Sequence, residues 1–235
     1  DLNLEEKSKV LELSYLNSYY QTGMKDLIDK AIIDAAKGEL DTNDINQNYQ
    51  KIDEIPFDFK RRRMSVVVMN KKHEHLLVTK GAAEEMLACS NRLEINGEIR
   101  ALNQEQRQEI LNKINQMNQD GLRVVLLAYK KNPAPVGEFS VDDEKELILT
   151  GFLAFLDPPK DSAKAALTAL KGDGITVKIL TGDNEAVTRN VGKQVGLDIN
   201  CVYQGKDLEN KSSAELKKMV EECDVFVKLS PQQKA

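Results

Sequence analysis

The sequence predicts two domains of different class: an α+β domain on an antiparallel sheet flanked by helices, residues 1–156, then an incomplete α/β domain, residues 157–235. Three observations predict this. Up to Leu156, strands joined by hairpins are separated by helices in blocks, which is the pattern of an antiparallel α+β unit. Beyond Asp157 single helices and strands alternate, which implies a parallel sheet with crossover helices. Between them stands Asp157-Pro158-Pro159-Lys160, where two prolines stiffen the backbone and remove hydrogen-bond donors, as suits a hinge.

The elements follow from periodicity. A helix is predicted over about Leu4 to Tyr19, and a second follows from the three-four spacing of Met24, Leu27, Ile28, Ala31, Ile32 and Ala35, with Gly38 at its stop. The polar run Glu39 to Gln50 reads as a surface loop. From Lys51 the period changes to that of strands: Ile55, Phe57 and Phe59 alternate, Ser65 to Met69 is rich in β-branched residues, and Leu76 to Thr79 returns. A short helix from Ala82 to Cys89 precedes Ile95-Asn96-Gly97-Glu98-Ile99, a hairpin signal because Asn-Gly supplies the two positive φ angles of a primed turn. Helix Gln104 to Gln119 and strands Leu122 to Tyr129 and Leu147 to Phe155 complete the first domain, the strands parted by a loop containing Pro133 and Pro135. The second reads as helix Ser162 to Lys171, strand Ile175 to Leu180, helix Glu185 to Val195, a strand near Cys201 to Tyr203, helix Ser212 to Glu222 and strand Asp224 to Leu229.

Composition narrows the function. A net charge of −5 and a pI near 5.3 argue against a nucleic-acid binder, which carries a basic excess over a whole domain. The cations gather at Arg61 to Arg63, a run that also suits a solvated strand edge. Cys89, Cys201 and Cys223 are widely spaced and odd in number, indicating neither a disulfide framework nor a zinc cluster and fitting a reducing compartment. His73 and His75 lie in a polar run and read as turn residues rather than metal ligands. The longest apolar stretch, Leu147 to Leu156, is far shorter than the roughly 20 residues of a membrane-spanning helix. With Asp1 first and Pro231-Gln232-Gln233-Lys234-Ala235 last, the chain reads as a piece of something longer.

Two constellations carry chemistry. An adenine needs a flat apolar partner and its phosphates need cations or backbone N–H groups. Phe57 can supply the stack, with Arg62 and Met64 downstream on the same stretch. Lys80 ends the next strand, where Gly81 lets backbone approach a ligand closely. Taken alone, Phe57 suits a core and Lys80 a solvated strand end. Arg123 opens an otherwise apolar strand, either in a structural salt bridge or with its guanidinium on a phosphate or ribose oxygen. In the second region Thr181-Gly182-Asp183 follows a strand and precedes a helix, the place where α/β sheets bind anions. Asp173, in the turn at the opposite end of that strand, takes no catalytic role, and Lys234 can present an ammonium to a phosphoryl group.

The set as a whole resembles a P-type ATPase, and within that family its bacterial magnesium-transporting branch. Lys80-Gly81-Ala82-Ala83-Glu84 resembles the nucleotide-domain Lys-Gly-Ala-Pro-Glu motif, with Ala83 replacing proline; Asp157-Pro158-Pro159-Lys160 resembles the hinge, Thr181-Gly182-Asp183 the phosphate-side loop, and Lys228 to Lys234 the segment ending in a characteristic lysine. Their order and spacing agree over nearly the whole chain. Asn17 to Gly23 and Phe57 to Val68 look most like the magnesium branch. The resemblance implies that Phe57 stacks on adenine, that Arg62, Met64, Lys80 and Gly81 line its pocket, that Arg123 reaches the phosphates, and that Thr181, Gly182, Asp183, Lys228 and Lys234 belong to an incomplete phosphorylation domain of haloacid-dehalogenase-like, Rossmann-type fold. At the position of the family's nucleotide-contacting glutamate stands Gly23, leaving that contact open. Neither Asp-Lys-Thr-Gly, which carries the phosphorylated aspartate, nor Gly-Asp-Gly-x-Asn-Asp, which helps hold Mg²⁺, is in the sequence. The implied ligand is ATP as Mg-ATP, and the implied partners are the actuator, phosphorylation and membrane domains of one polypeptide at the cytoplasmic face of a membrane. The alternatives are a soluble haloacid-dehalogenase-type phosphohydrolase and a non-enzymatic nucleotide-sensing module.

Overall fold

The computed structural model describes residues 8–23, 25–132, 139–156 and 159–234. Met24, the Pro133–Pro135 loop, Asp157 and Pro158 of the hinge and Ala235 lie outside the described residues. The chain divides into two compact units, one of residues 1–114 and 124–155 and another of residues 115–123 and 156–235.

The first unit begins with helices α1 (Ser8–Tyr20), α2 (Leu27–Glu39) and α3 (Thr42–Asn48). Strands β1 (Tyr49–Asp58), β2 (Arg63–Asn70) and β3 (His75–Gly81) follow, then α4 (Ala83–Cys89), the hairpin β4 (Ser90–Ile95) and β5 (Glu98–Ala101), α5 (Gln104–Gln119), β6 (Leu122–Lys131) and β7 (Leu147–Leu156), with the end of α5, the start of β6 and the last residue of β7 belonging to the other unit. The seven strands form one sheet in the order β1-β2-β3-β6-β7-β4-β5. Pairings β1–β2, β2–β3, β3–β6 and β4–β5 are antiparallel, while β4 pairs with β7 in parallel, so the sheet is mostly but not wholly antiparallel.

Helices cover both faces, and the alternation along β2 shows how. Val66 and Val68 join Val10, Leu13, Leu16, Ala36 and Ile45 of α1–α3 in one apolar cluster. Val67 points the other way, into a cluster with Met86 and Leu87 of α4 and Ile110 and Ile114 of α5. A strand buried on both faces needs apolar residues at consecutive positions, which is what the Val66-Val67-Val68 run provides. The predicted hairpin is present: Ile95 opposes Glu98, and Asn96 and Gly97 take φ of 52° and 83°.

The second unit adds α6 (Asp161–Gly172), β8 (Ile179–Leu180), α7 (Glu185–Val195), β9 (Tyr203–Gln204), α8 (Ser213–Glu222) and β10 (Val225–Val227). Its sheet has the order β8-β10-β9, with both pairings parallel.

Several expectations are corrected. The run Glu39 to Gln50 is not one loop: Asp41 caps α3 by accepting from the N–H groups of Asn43 and Asp44, and Ile45 anchors the helix in the core. The strand over Ile175 to Leu180 shrinks to Ile179–Leu180, because its ladder partner β10 is three residues long and leaves Ile175 to Lys178 unpaired. His73 lies in the turn, at φ 61°, but His75 opens β3 and is buried. Cys201 and Cys223 are not independent thiols: β9 and the end of α8 bring their Cα atoms to 5.3 Å and they form a disulfide, a proximity that 22 residues of separation do not disclose.

Candidate functional site

Phe57 stands near the end of β1 with half of its surface exposed, and its ring meets that of Phe59 edge-on at 5.2 Å between centroids. An exposed benzyl ring is the reverse of a core residue, so the reading of Phe57 as a core side chain is set aside. The loop behind it is built, not slack. Asp58 Oδ1 accepts from the N–H groups of Lys60 and Arg61 at 3.0 and 2.8 Å, the Arg62 N–H donates to the Asp58 carbonyl at 2.6 Å, and Arg62 takes φ 47°. The Arg62 guanidinium extends to Glu85 at 3.2 Å and remains one-third exposed.

Strand register brings the other residues of this region alongside. Asp58 is opposite Arg63, and Arg63 is opposite Gly81; Met64 is opposite Lys80. Met64 and Lys80 therefore share one sheet face, the one covered by α1 and α2, and both are buried. A side chain on Gly81 would put its Cβ 2.5 Å from Arg63 Cβ and 2.8 Å from the Arg62 carbonyl oxygen. The neighbour that this glycine admits is the strand beside it.

Lys80 is no solvated strand end. Its Nζ donates to Ser18 Oγ of α1 at 2.8 Å and to Asp29 Oδ1 of α2, and the two side chains of the ion pair are 8% and 5% exposed. Burial pushes the Lys80 ammonium below its ordinary value, against the pull of Asp29. Burial works on Asp29 in the opposite sense, but the Lys80 charge and hydrogen bonds from Lys80, Ser18 and Gln21 outweigh it and hold the carboxyl below the usual range. An ammonium has three donors, and two are accepted by Ser18 and Asp29. Next to this pair, Gln21 donates to Asp29, and Thr22 donates both its N–H and its hydroxyl to Glu54 of β1, three residues before Phe57. Glu54 is held below the ordinary carboxylate range: burial alone would raise it, but hydrogen bonds from Lys51 and Thr22 prevail.

Sequence reasoning missed Asp29 and Glu144. Gly23, at φ 97°, carries no carboxylate; Asp29, six residues on, supplies one beside Lys80. The available signal was the spacing of Asp26 and Asp29, a reciprocal capping box at the start of α2. Glu144 had no local signal. It is fully buried, 81 residues beyond Arg63, and accepts from Arg61, from Arg63 Nε at 2.8 Å and from Ser65 Oγ at 2.7 Å. Arg61 and Arg63 are thus partners of a buried carboxylate and not a solvated edge.

In the second unit, the N–H of Thr181 donates to the Phe226 carbonyl at 2.9 Å, placing the Thr181-Gly182-Asp183 turn at the carboxyl end of β8. Thr181 Oγ1 and Asp183 are joined by two hydrogen bonds of 3.0 and 3.1 Å, and the Lys228 N–H donates to the Asp183 carbonyl at 2.8 Å. Asn184 caps α7 with its side-chain oxygen on the Val187 N–H, so a helix N-terminus opens beside the turn. Lys234 Nζ lies 3.9 Å from the position a Cβ on Gly182 would occupy, bringing an ammonium to the same turn. Arg123, grouped with this unit, places Nη2 3.4 Å from Asp183 Oδ1, which is the salt-bridge alternative for that residue. The turn therefore gathers a hydroxyl, a carboxylate, a helix N-terminus and two cations, the elements with which a phosphoryl group is handled.

Comparison with known proteins gives a consistent result. The family model described as P-type ATPase, cytoplasmic domain N, matches residues 10–162. The "Magnesium-transporting ATPase, P-type 1" of Escherichia coli (strain K12) is 44% identical over 234 residues, covering 100% of this chain and 26% of that protein. The protein of the same name from Salmonella typhimurium (strain LT2) is 43% identical over the same shares. The "Calcium-transporting ATPase lmo0841" of Listeria monocytogenes is 30% identical over 204 residues, 84% of this chain and 23% of that protein. The chain spans about a quarter of the length of the curated relatives it matches.

Proposed function

The chain belongs to the P-type ATPase family, and from that premise we propose that it is the ATP-binding portion of a magnesium-transporting pump, carrying the nucleotide-binding domain, residues 1–156, and part of the phosphorylation domain, residues 157–235. The observation that carries this reading is Phe57, an aromatic ring left half-exposed on a hydrogen-bonded loop beside the Met64–Lys80 pair of strand positions. Adenine stacks on Phe57. Arg62, Met64 and Lys80 line its pocket, with Asp29 behind Lys80 as its buried counter-charge, while Gly81 lets the Arg63 strand pass close beside Lys80. The family resemblance assigns the phosphates to Arg123.

The second unit is proposed to have the haloacid-dehalogenase-like fold, with its phosphate-handling turn at Thr181, Gly182 and Asp183 and with Lys228 and Lys234 beside it. Among the described residues no three acidic, histidine or cysteine side chains converge on a cation site, and Asp183 is a single carboxylate already bonded to Thr181. Magnesium enters on the phosphates of Mg-ATP, as suits an ion that keeps several waters and is held by one or two carboxylates together with phosphate oxygens. In the intact pump the resemblance implies in-line attack of an aspartate on the terminal phosphate, with Lys234 offsetting the charge on the transferring group and the phosphoenzyme coupled to ion movement through membrane helices. Such transfer rests on positioning and electrostatics, so bringing ATP across the hinge is itself a catalytic contribution.

Calorimetric titration with ATP tests the reading. The expected dissociation constant is on the order of 0.01–1 mM, and Phe57→Ala weakens it by about 10-fold, the loss of one base–aromatic stack. Because Phe57 is exposed, its truncation leaves the fold intact; identical titrations for the two proteins would remove the pocket.

A further inference from the structure

The buried carboxylate of Glu144 lies far from Phe57 in sequence, yet it anchors the loop that presents that ring. Glu144 follows a 3-10 turn, Val141–Asp143, capped by Ser140, and precedes β7. Its side chain is fully buried and both oxygens are engaged: Oε1 accepts from Ser65 Oγ at 2.7 Å, and Oε2 from Arg61 Nη1 and from Arg63 Nε at 2.8 Å. Ser65 Oγ is in turn 2.8 Å from Thr79 Oγ1 on β3, so the carboxylate is locked to two neighbouring strands. A lone buried charge would be costly, and here it is matched by two guanidiniums and a hydroxyl.

The outer end of the network reaches the aromatic loop. Arg61 is bidentate in effect: one amino group goes to Glu144 and the other, Nη2, donates to the Pro56 carbonyl at 2.8 Å. Pro56 is the residue immediately before Phe57, and its carbonyl belongs to the peptide group that carries the Phe57 nitrogen. The Arg61 N–H is held independently by Asp58 Oδ1, so the guanidinium and the backbone of the same residue brace the loop on both sides of Phe57. The ring itself is half-exposed and packs edge-on against Phe59, and the network holds the backbone that carries it.

We propose that Glu144 is a positioning residue for nucleotide binding, acting through Arg61 and the Pro56 carbonyl to set the orientation of the Phe57 ring; this rests on the reading of Phe57 as the adenine platform. Two consequences separate it from a purely structural carboxylate. Loss of Glu144 frees the ring even where the fold survives, and loss of Arg61 adds nothing once Glu144 is gone.

The chain contains no tryptophan, so Phe57→Trp supplies a single fluorescent reporter at the platform. In that background Glu144→Gln is expected to lower the steady-state anisotropy of the indole and to weaken ATP binding about three- to tenfold, the size of losing the hold of one charge-assisted hydrogen bond on a binding loop. Arg61→Ala, which leaves Glu144 paired with Arg63 and Ser65, is expected to give the same two changes, and the double variant no more than either. A thermal midpoint that falls while anisotropy and ATP affinity stay at the parent values, or full additivity of the two substitutions, overturns the proposal. Should Glu144→Gln fail to fold, Arg61→Ala alone decides, with unchanged anisotropy and affinity as the overturning result. If instead ATP binding by the unmodified chain is indifferent to Phe57→Ala, it is the platform reading that fails, while the anisotropy comparison still reports whether Glu144 holds the loop.

Discussion

Lys80 and Asp29 show how a residue changes meaning when its neighbours are known. From the sequence alone Lys80 was a strand-end cation; in the fold it is a buried ammonium whose counter-charge comes from a helix 51 residues away. Removing the carboxylate leaves that ammonium unpaired, so Asp29→Asn is expected to cost about 3–5 kcal/mol at pH 7. The pH dependence has a definite sign. The folded carboxyl titrates below the ordinary 3.8, so its contribution is complete above that value and is lost as pH falls through the lower folded value. Urea denaturation midpoints of the two proteins should therefore stay a constant distance apart from pH 7 to about pH 5 and converge below pH 4. A gap that stays constant down to pH 3 would show that the pair is not ionised. Glu144 teaches the same lesson for Arg61 and Arg63: three consecutive arginines looked like one solvated feature, and the fold gives them separate acceptors, Glu144 for the first and third and Glu85 for the second.

Elements with strong local chemistry were legible in advance. The Asn96-Gly97 hairpin, helix α5 and helix α7 emerge where periodicity and turn chemistry put them, because each is stabilised by bonds within a few residues. Helix α3 leaves no periodic signal in the sequence, because its seven residues bury a single apolar side chain, Ile45, too few to make a period. β8 is shorter than the apolar run that contains it, because apolar content says nothing about the length of the strand it must pair with. Helix α2 matters to the site in its own right, since its first turn carries Asp29. The Asp26 side chain accepts from the Asp29 N–H at 2.8 Å, so Asp26→Ala should cost about 1 kcal/mol in stability. Because the lost cap also loosens Asp29, ATP affinity should fall in parallel, a pairing that calorimetry and thermal melts on one preparation can check. A stability loss without any change in affinity would separate α2 from the nucleotide site.

At the scale of the whole chain, two units with separate cores predict two responses to ligand and to reductant. ATP at about 100 times its dissociation constant stabilises what binds it by about 2.7 kcal/mol, and that gain should appear chiefly in the melting of the unit that holds Phe57. Reduction of the Cys201–Cys223 bridge, which closes a 22-residue separation, should lower only the other unit, by about 3 kcal/mol. Scanning calorimetry with and without each addition reads both, and an equal shift of both transitions by either reagent would contradict independent cores. What could be read without coordinates was the order of motifs, the change from hairpin-joined to alternating elements, and the family, since these rest on residues close together along the chain or on their succession. What only the fold could decide was which charges are buried, who neutralises them, and which aromatic ring is left in the open. Those are properties of pairs such as Lys80 with Asp29 and Arg61 with Glu144, distant in sequence and adjacent only after the sheet has formed, because Coulomb attraction and desolvation depend on distance and burial in space.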